Sequence, residues 1–167
     1  PAALPVHAAQ RGQQLGNRPL VFSKIGDSIT VSPATLVPIG NQSYNLDRYQ
    51  HLQPVIDAFT SVAARYGNNS FTNPSVAARV GWTTTSVLSP QYANTGDCLR
   101  GESPLVCELR ILKPSIAFIM LGTNDVGLLS GRVFQDNLLR IITLCIERGV
   151  IPVLTTLPTR RGYEQDV

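Results

Sequence analysis

Lysine and histidine are nearly absent from this chain. Of its 167 residues only Lys24 and Lys113 are lysines, and there are two histidines, His7 and His51. The net charge of +3 and a pI near 9.0 therefore come from dispersed arginines, with no basic block longer than Arg160-Arg161. Without a basic cluster interleaved with aromatics there is no nucleic-acid footprint. The longest apolar run, Ile116-Ala117-Phe118-Ile119-Met120-Leu121, is far short of the roughly 18 residues that span a bilayer, so no membrane span is expected. The three cysteines, Cys98, Cys107 and Cys145, form no Cys-x-x-Cys and have no nearby histidine pair, which excludes the usual zinc patterns; no metal is expected. Neither a Gly-x-Gly-x-x-Gly nor a P-loop occurs, so nucleotide and flavin binding lack their usual signature, and no cofactor is expected.

What is present is an ordinary globular composition, 43% hydrophobic and 15% charged, with 13 glycines and 12 prolines scattered along the chain. The length suits one domain, residues 1–167, able to bury about 70% of the surface of its unfolded chain. Residues 1–18 lack clear periodicity and read as an amino-terminal arm with one short helix around 8–15. Residues 20–25 form a short apolar strand entered through Pro19. A long irregular connection, 31–49, follows, and connections of that length in small domains usually carry function. Apolar residues at Val55, Ile56, Phe59, Val62 and Ala63 predict an amphipathic helix over 51–66, closed by Gly67.

A β-compatible stretch, 75–80, then leads through Gly81 into a helix capped by one of the threonines 83–85. Ser103-Pro104 starts a helix that Pro114 stops. A buried strand, 115–121, follows, then a loop over 122–131, a helix with Phe134, Leu138, Ile141, Ile142 and Cys145 on one face, and a strand at 150–156. Apolar strands alternating with amphipathic helices predict a three-layer α/β sandwich around a mainly parallel sheet. Cys145 falls on the helix's apolar stripe as a buried thiol. The spacing of Cys98 and Cys107 can close as a small disulfide, which would indicate a secreted or extracytoplasmic protein; two buried thiols fit the pair nearly as well.

In a parallel sheet all strands deliver their carboxyl ends to one rim, where ligands collect. Three loops meet there: Gly26-Asp27-Ser28, Gly81, and Gly122-Thr123-Asn124-Asp125. Acyl transfer needs a nucleophile and donors aimed at an oxyanion. Ser28 offers a hydroxyl and a backbone N–H, Gly81 a backbone N–H with no side chain in the way, and Asn124 an amide. Asp27 and Asp125 are expected to support the loops by accepting N–H bonds. Trp82 and Tyr44 lie near the rim and fit either a pocket wall or plain packing.

These loops resemble the SGNH or GDSL family of serine hydrolases. Gly26-Asp27-Ser28-Ile29 is similar to that family's first block with Ile29 in place of leucine, Gly81 stands where the second block's glycine is expected, and Gly122-Thr123-Asn124-Asp125 matches Gly-x-Asn-Asp. The resemblance covers residues 20–156. It implies a flavodoxin-like fold, a serine ester hydrolase without cofactor acting on a small-molecule or carbohydrate ester, Ser28 as nucleophile, and an oxyanion hole from Ser28, Gly81 and Asn124. One block is missing. The family's Asp-x-x-His, which carries the base and its orienting acid, does not occur, and neither His7 nor His51 follows the last strand. The resemblance thus implies that a final strand, a helix and the Asp-x-x-His lie on a C-terminal segment outside these residues. The alternative is a non-catalytic glycan- or ester-binding module that has lost the block.

Overall fold

The first strand is buried without interruption from Val21 to Gly26, as a strand flanked on both edges and covered on both faces must be. The computed structural model describes residues 3–157. In chain order the elements are α1 (Ala3–Gln14), β1 (Arg18–Gly26), α2 (Ser28–Val31), α3 (Val37–Gly40), α4 (Gln53–Thr60), β2 (Ala63–Arg65), β3 (Asn68–Asn69), α5 (Thr84–Leu88), α6 (Pro104–Leu112), β4 (Pro114–Met120), α7 (Gly131–Glu147) and β5 (Ile151–Leu154). Short 3₁₀ turns occupy Asp47–Leu52 and Pro90–Tyr92. The main sheet is parallel, ordered β1-β4-β5, with Phe22 opposite Ile116, Gly26 opposite Met120, and Ile116 opposite Ile151. The class is α/β.

Side-chain alternation sends consecutive residues to opposite faces. Ile25, Ala117 and Ile119 pack with Val87 of α5, Leu105 and Leu109 of α6, and Ile141 and Leu144 of α7. Phe22, Ile116 and Phe118 turn the other way and meet Leu36, Ile39, Ile56, Phe59 and Phe71. The Phe22 ring stands edge-on to Phe71 and Phe118 at 4.9 and 5.1 Å, a geometry that adds to the burial itself. Each face thus has its own apolar cluster, and the long connection after β1 builds one of them.

Several local expectations change. The arm's helix begins at Ala3, earlier than residue 8, and its Gly12 lies so near Gly149 that a Cβ on either would come within 2.3 Å of the other's backbone. The helix expected over 51–66 ends at Thr60. Beyond it β2 and β3 pair as an antiparallel hairpin whose turn residues, Tyr66 and Gly67, both have positive φ (54° and 78°), the signature of a type I′ turn. Val62 therefore reaches Val21, Ala64 and Leu112 from a hairpin, and the Arg18 guanidinium holds it by donating to the Ala63 and Ala64 carbonyls.

The strand expected over 75–80 shrinks to one parallel bridge, Gly26 with Ala78. Its backbone is bonded elsewhere. The Val76 N–H donates to Glu108 Oε2 and the Ala77 N–H to Ser75 Oγ, leaving the Ala77 carbonyl and the Arg79 N–H for Gly26. Ser103 does cap α6, its Oγ accepting from the Val106 N–H, and Lys113 ends that helix in the left-handed region at φ 50°. Cys98 and Cys107 are joined by a disulfide, whereas Cys145 is free and buried, its thiol pushed up to about 12 by burial. Among the described residues no helix is long and apolar enough to cross a membrane.

Glu108 is fully buried, accepting from Ser23 Oγ at 2.8 Å and the Val76 N–H at 3.0 Å. Burial nevertheless raises its pKa above the ordinary carboxylate value, against those hydrogen bonds and the field of Arg65. A carboxyl raised in the folded state holds its proton longer there than in the unfolded chain. Its contribution to stability is therefore full below the unfolded value of about 4.3 and is lost as pH rises through the folded pKa. Glu108→Gln should flatten that decline, leaving the part that Asp27, also raised, contributes. Urea unfolding across a pH series checks this, and equal slopes for the two proteins would refute it. Reducing the Cys98–Cys107 bridge, which closes a loop of sequence separation 9, should cost about 2–3 kcal/mol by loop entropy, read as a lower melting temperature in dithiothreitol.

Candidate active site

The strand order reverses beside β1. From β1 the chain runs to the 77–79 segment on one flank, then crosses to β4 on the other. The connections diverge at such a point and leave a crevice at the carboxyl ends, where ligands of open α/β sheets bind.

The first loop begins at Gly26. A Cβ there would lie 1.9 Å from Thr30 Oγ1 and 2.6 Å from the Met120 carbonyl oxygen, so only glycine lets the chain fold back over its own strand. Asp27 is fully buried and caps α2, its Oδ1 accepting the Ile29 N–H at 3.0 Å. Ser28 opens α2 and is exposed. Its N–H is the first of the turn and has no acceptor within the helix.

The second loop is a turn closed by the Trp82 N–H on the Arg79 carbonyl at 3.2 Å. Gly81 sits at its third position with φ 79°, where a type II turn needs a positive φ. Gly81 is exposed, with nothing within 4 Å of the place a Cβ would occupy. Trp82 turns inward into the main cluster and meets Tyr92 edge-on, so it packs the core. Thr83 and Ser86 then form a capping box on α5.

The third loop turns at Gly122 (φ 137°), where a Cβ would strike Leu157 at 2.3 Å. It presents the two residues that join the loops. Asn124 Nδ2 donates to Asp27 Oδ2 at 3.3 Å and to the Trp82 carbonyl at 3.0 Å. The Trp82 oxygen can only accept, as can an ionised Asp27, which fixes the nitrogen side of the amide toward them. Both amide protons are thereby engaged in a clasp. Asp125, 2% exposed, accepts the Thr84 N–H at 2.9 and 3.2 Å through its two oxygens and also the Thr84 hydroxyl. Asn137 of α7 in turn donates to the Thr84 and Thr85 hydroxyls at 3.1 and 3.0 Å.

Ser28, Gly81 and Asn124 thus meet at one rim, with Asp27 and Asp125 beneath them. Burial raises the Asp27 pKa; the Ile29 N–H opposes the rise and the Asp125 charge adds to it. Tyr44 lies elsewhere, packed in the Phe22 cluster with its hydroxyl accepting from Gln53 Nε2 at 2.7 Å. His7 on α1 and His51 in the 47–52 turn are both exposed, and neither bonds to a rim loop.

Two cavities adjoin the first loop, and neither was legible in the sequence. One, of about 250 Å³, is apolar and walled by Phe22, Phe71, Phe118 and Met120. The other, of about 190 Å³, has a mixed polar and apolar lining and lies between α2 and residues 72–75. Lys24 and Thr30 line both. A lysine inside a buried, mostly apolar strand was the one available signal. No protein-family model, curated protein or solved structure matches this chain.

Asp125→Ala would leave the buried Thr84 N–H and hydroxyl without their acceptor and should cost about 2–3 kcal/mol. The exposed Asp136 gives the control, where Asp136→Ala should stay within about 0.5 kcal/mol. Chemical denaturation of both variants reads the difference.

Proposed function

We propose that this protein is a serine ester hydrolase of the SGNH/GDSL type on a flavodoxin-like sheet, acting outside the cytoplasm on a short-chain or carbohydrate ester. The observation that carries the proposal is that exposed Ser28 and Gly81 each adjoin a residue, Asp27 and Trp82, that Asn124 Nδ2 bonds, at the crevice where the strand order reverses. Neither the Ser28 nor the Gly81 backbone N–H has an acceptor among the described residues. Ser28 Oγ attacks the ester carbonyl as its proton passes to a base, the two N–H groups receive the developing oxyanion, and the alcohol leaves with the proton. Water then cleaves the acyl-serine and regenerates the hydroxyl. Asn124 joins the oxyanion hole only by releasing the longer of its two bonds, the one to Asp27. The 250 Å³ apolar cavity next to the first loop has room for a short acyl group.

The base is a histidine from a segment outside the described residues, since His7 and His51 both lie off the rim. That same observation favours a second reading, a binding module that recognises esters without cleaving them.

Added imidazole separates the two. With 4-nitrophenyl acetate as substrate, imidazole should accelerate hydrolysis by the chain beyond its own background, and Ser28→Ala should remove the whole of that excess. Persistence of the excess in the variant would rule out Ser28 as nucleophile; no excess in either protein would favour the binding module. Without a base, triad logic leaves at most about 10³–10⁴ over water.

A further inference from the structure

Lys24 is 7% exposed, yet among the described residues its ammonium has a single acceptor, the Phe71 carbonyl at 2.7 Å. Buried charges are normally paired, because leaving water costs several kcal/mol that one neutral oxygen does not return. Among the described residues the one ion pair is Arg110 with Glu102. Glu108, the buried carboxyl whose field acts on Lys24, cannot serve. Its partner on β1 is Ser23, and alternation turns Lys24 to the opposite face of the sheet. Burial pulls the Lys24 pKa down, and the Glu108 field only partly opposes it.

The wall around this ammonium is equally unfinished. Asn73 is 2% exposed, and among the described residues its amide makes no hydrogen bond; its Oδ1 is fully covered and has no partner there. Thr30 Oγ1 is in the same state. Lys24, Thr30 and Asn73 all line the 190 Å³ crevice, which opens beside α2, the helix that Ser28 begins. Orphaned buried polar groups are rare in folded proteins, and two of them beside a lysine with one neutral acceptor mark this crevice as a recognition surface.

We propose that this crevice binds a hydroxylated carboxylate, such as a uronic or hydroxy acid. The carboxylate takes the two free Lys24 N–H groups, and one negative charge balances one ammonium. Both side chains turn from their covered positions to meet a hydroxyl of the same ligand, which donates to Asn73 Oδ1 and accepts from Thr30 Oγ1. That the ligand is the substrate's acidic end rests on the ester-hydrolase reading; that it binds does not.

Because the chain holds only two lysines, protein labelled with ¹³C-lysine shows two ε-methylene signals, and the exposed Lys113 is the internal control. Titration with galacturonate should move the Lys24 signal and leave Lys113 in place. Acetate, lacking hydroxyls, should need about tenfold more, and galactose, lacking the carboxylate, should move neither. Galacturonate shifting both lysines alike or neither, acetate binding as tightly, or galactose moving Lys24 as far would each overturn the proposal. Asn73→Ala should raise the Kd for galacturonate about tenfold, with Thr30→Val as the second variant should the first fail to fold; an unchanged Kd in the folded variant would overturn it. Ser28→Ala should keep the full Lys24 shift, so failure of the crevice and failure of the nucleophile are read separately.

Discussion

Everything at the rim depends on Gly26 having no side chain. At this residue β1 is paired on both edges, with Met120 on one side and Ala78 on the other, while Thr30 folds down onto it from above. A single methyl group would meet the Thr30 side chain and the Met120 carbonyl together, and the carbonyl, fixed in a parallel ladder, has nowhere to go. The tight turn is therefore a product of close packing around a bare Cα. Because the chain reverses within one residue of the strand, Asp27 stays buried and Ser28, next along, emerges into solvent.

The three rim loops are then joined by groups that leave the backbone of the outermost residues free. Asn124 ties the first loop to the second, and Asp125 ties the second to the third. Neither tie uses the N–H of Ser28 or Gly81. Rigidity and availability are thus supplied by different atoms, as a preorganised site requires. The same economy explains why the 75–80 stretch does not form a full strand. Glu108 and Ser75 take its amides, which leaves its end free to bend into the Gly81 turn.

Much of the fold was legible because it is written in period and punctuation. Continuous apolar strands, Ser103-Pro104 at a helix start and Gly149 at a helix end each state their structure locally. The misread segments are those where a tertiary partner overrides local pattern. Val62 and Ala63 continue a helical stripe on paper, but the Arg18 guanidinium and the Val21 cluster draw them into a hairpin. The rim residues were legible because glycine marks turns and a sheet's carboxyl ends converge. Lys24 and Asn73 were not, because a crevice between α2 and residues 72–75 depends on how a long irregular connection folds, and no periodicity records that.

The electrostatics of the rim bear on how a base would work there. Asp27 and Asp125 sit together beneath Ser28, and the groups that satisfy them are N–H and O–H donors. No cation bonds to either among the described residues. Burial raises the Asp27 pKa, and the neighbouring Asp125 carboxyl, with no countercharge, adds to the rise. On the ester-hydrolase reading this field has two opposite effects during attack. It opposes the oxyanion, so the Ser28 and Gly81 N–H groups have to outweigh it at contact distance. It also favours the imidazolium that forms when a histidine takes the Ser28 proton, and that gain is larger in a buried setting than in water. The rim is therefore biased toward a base that arrives neutral and becomes a cation. On that reading a carboxylate base would meet the same field as a like charge, whereas an imidazole would not.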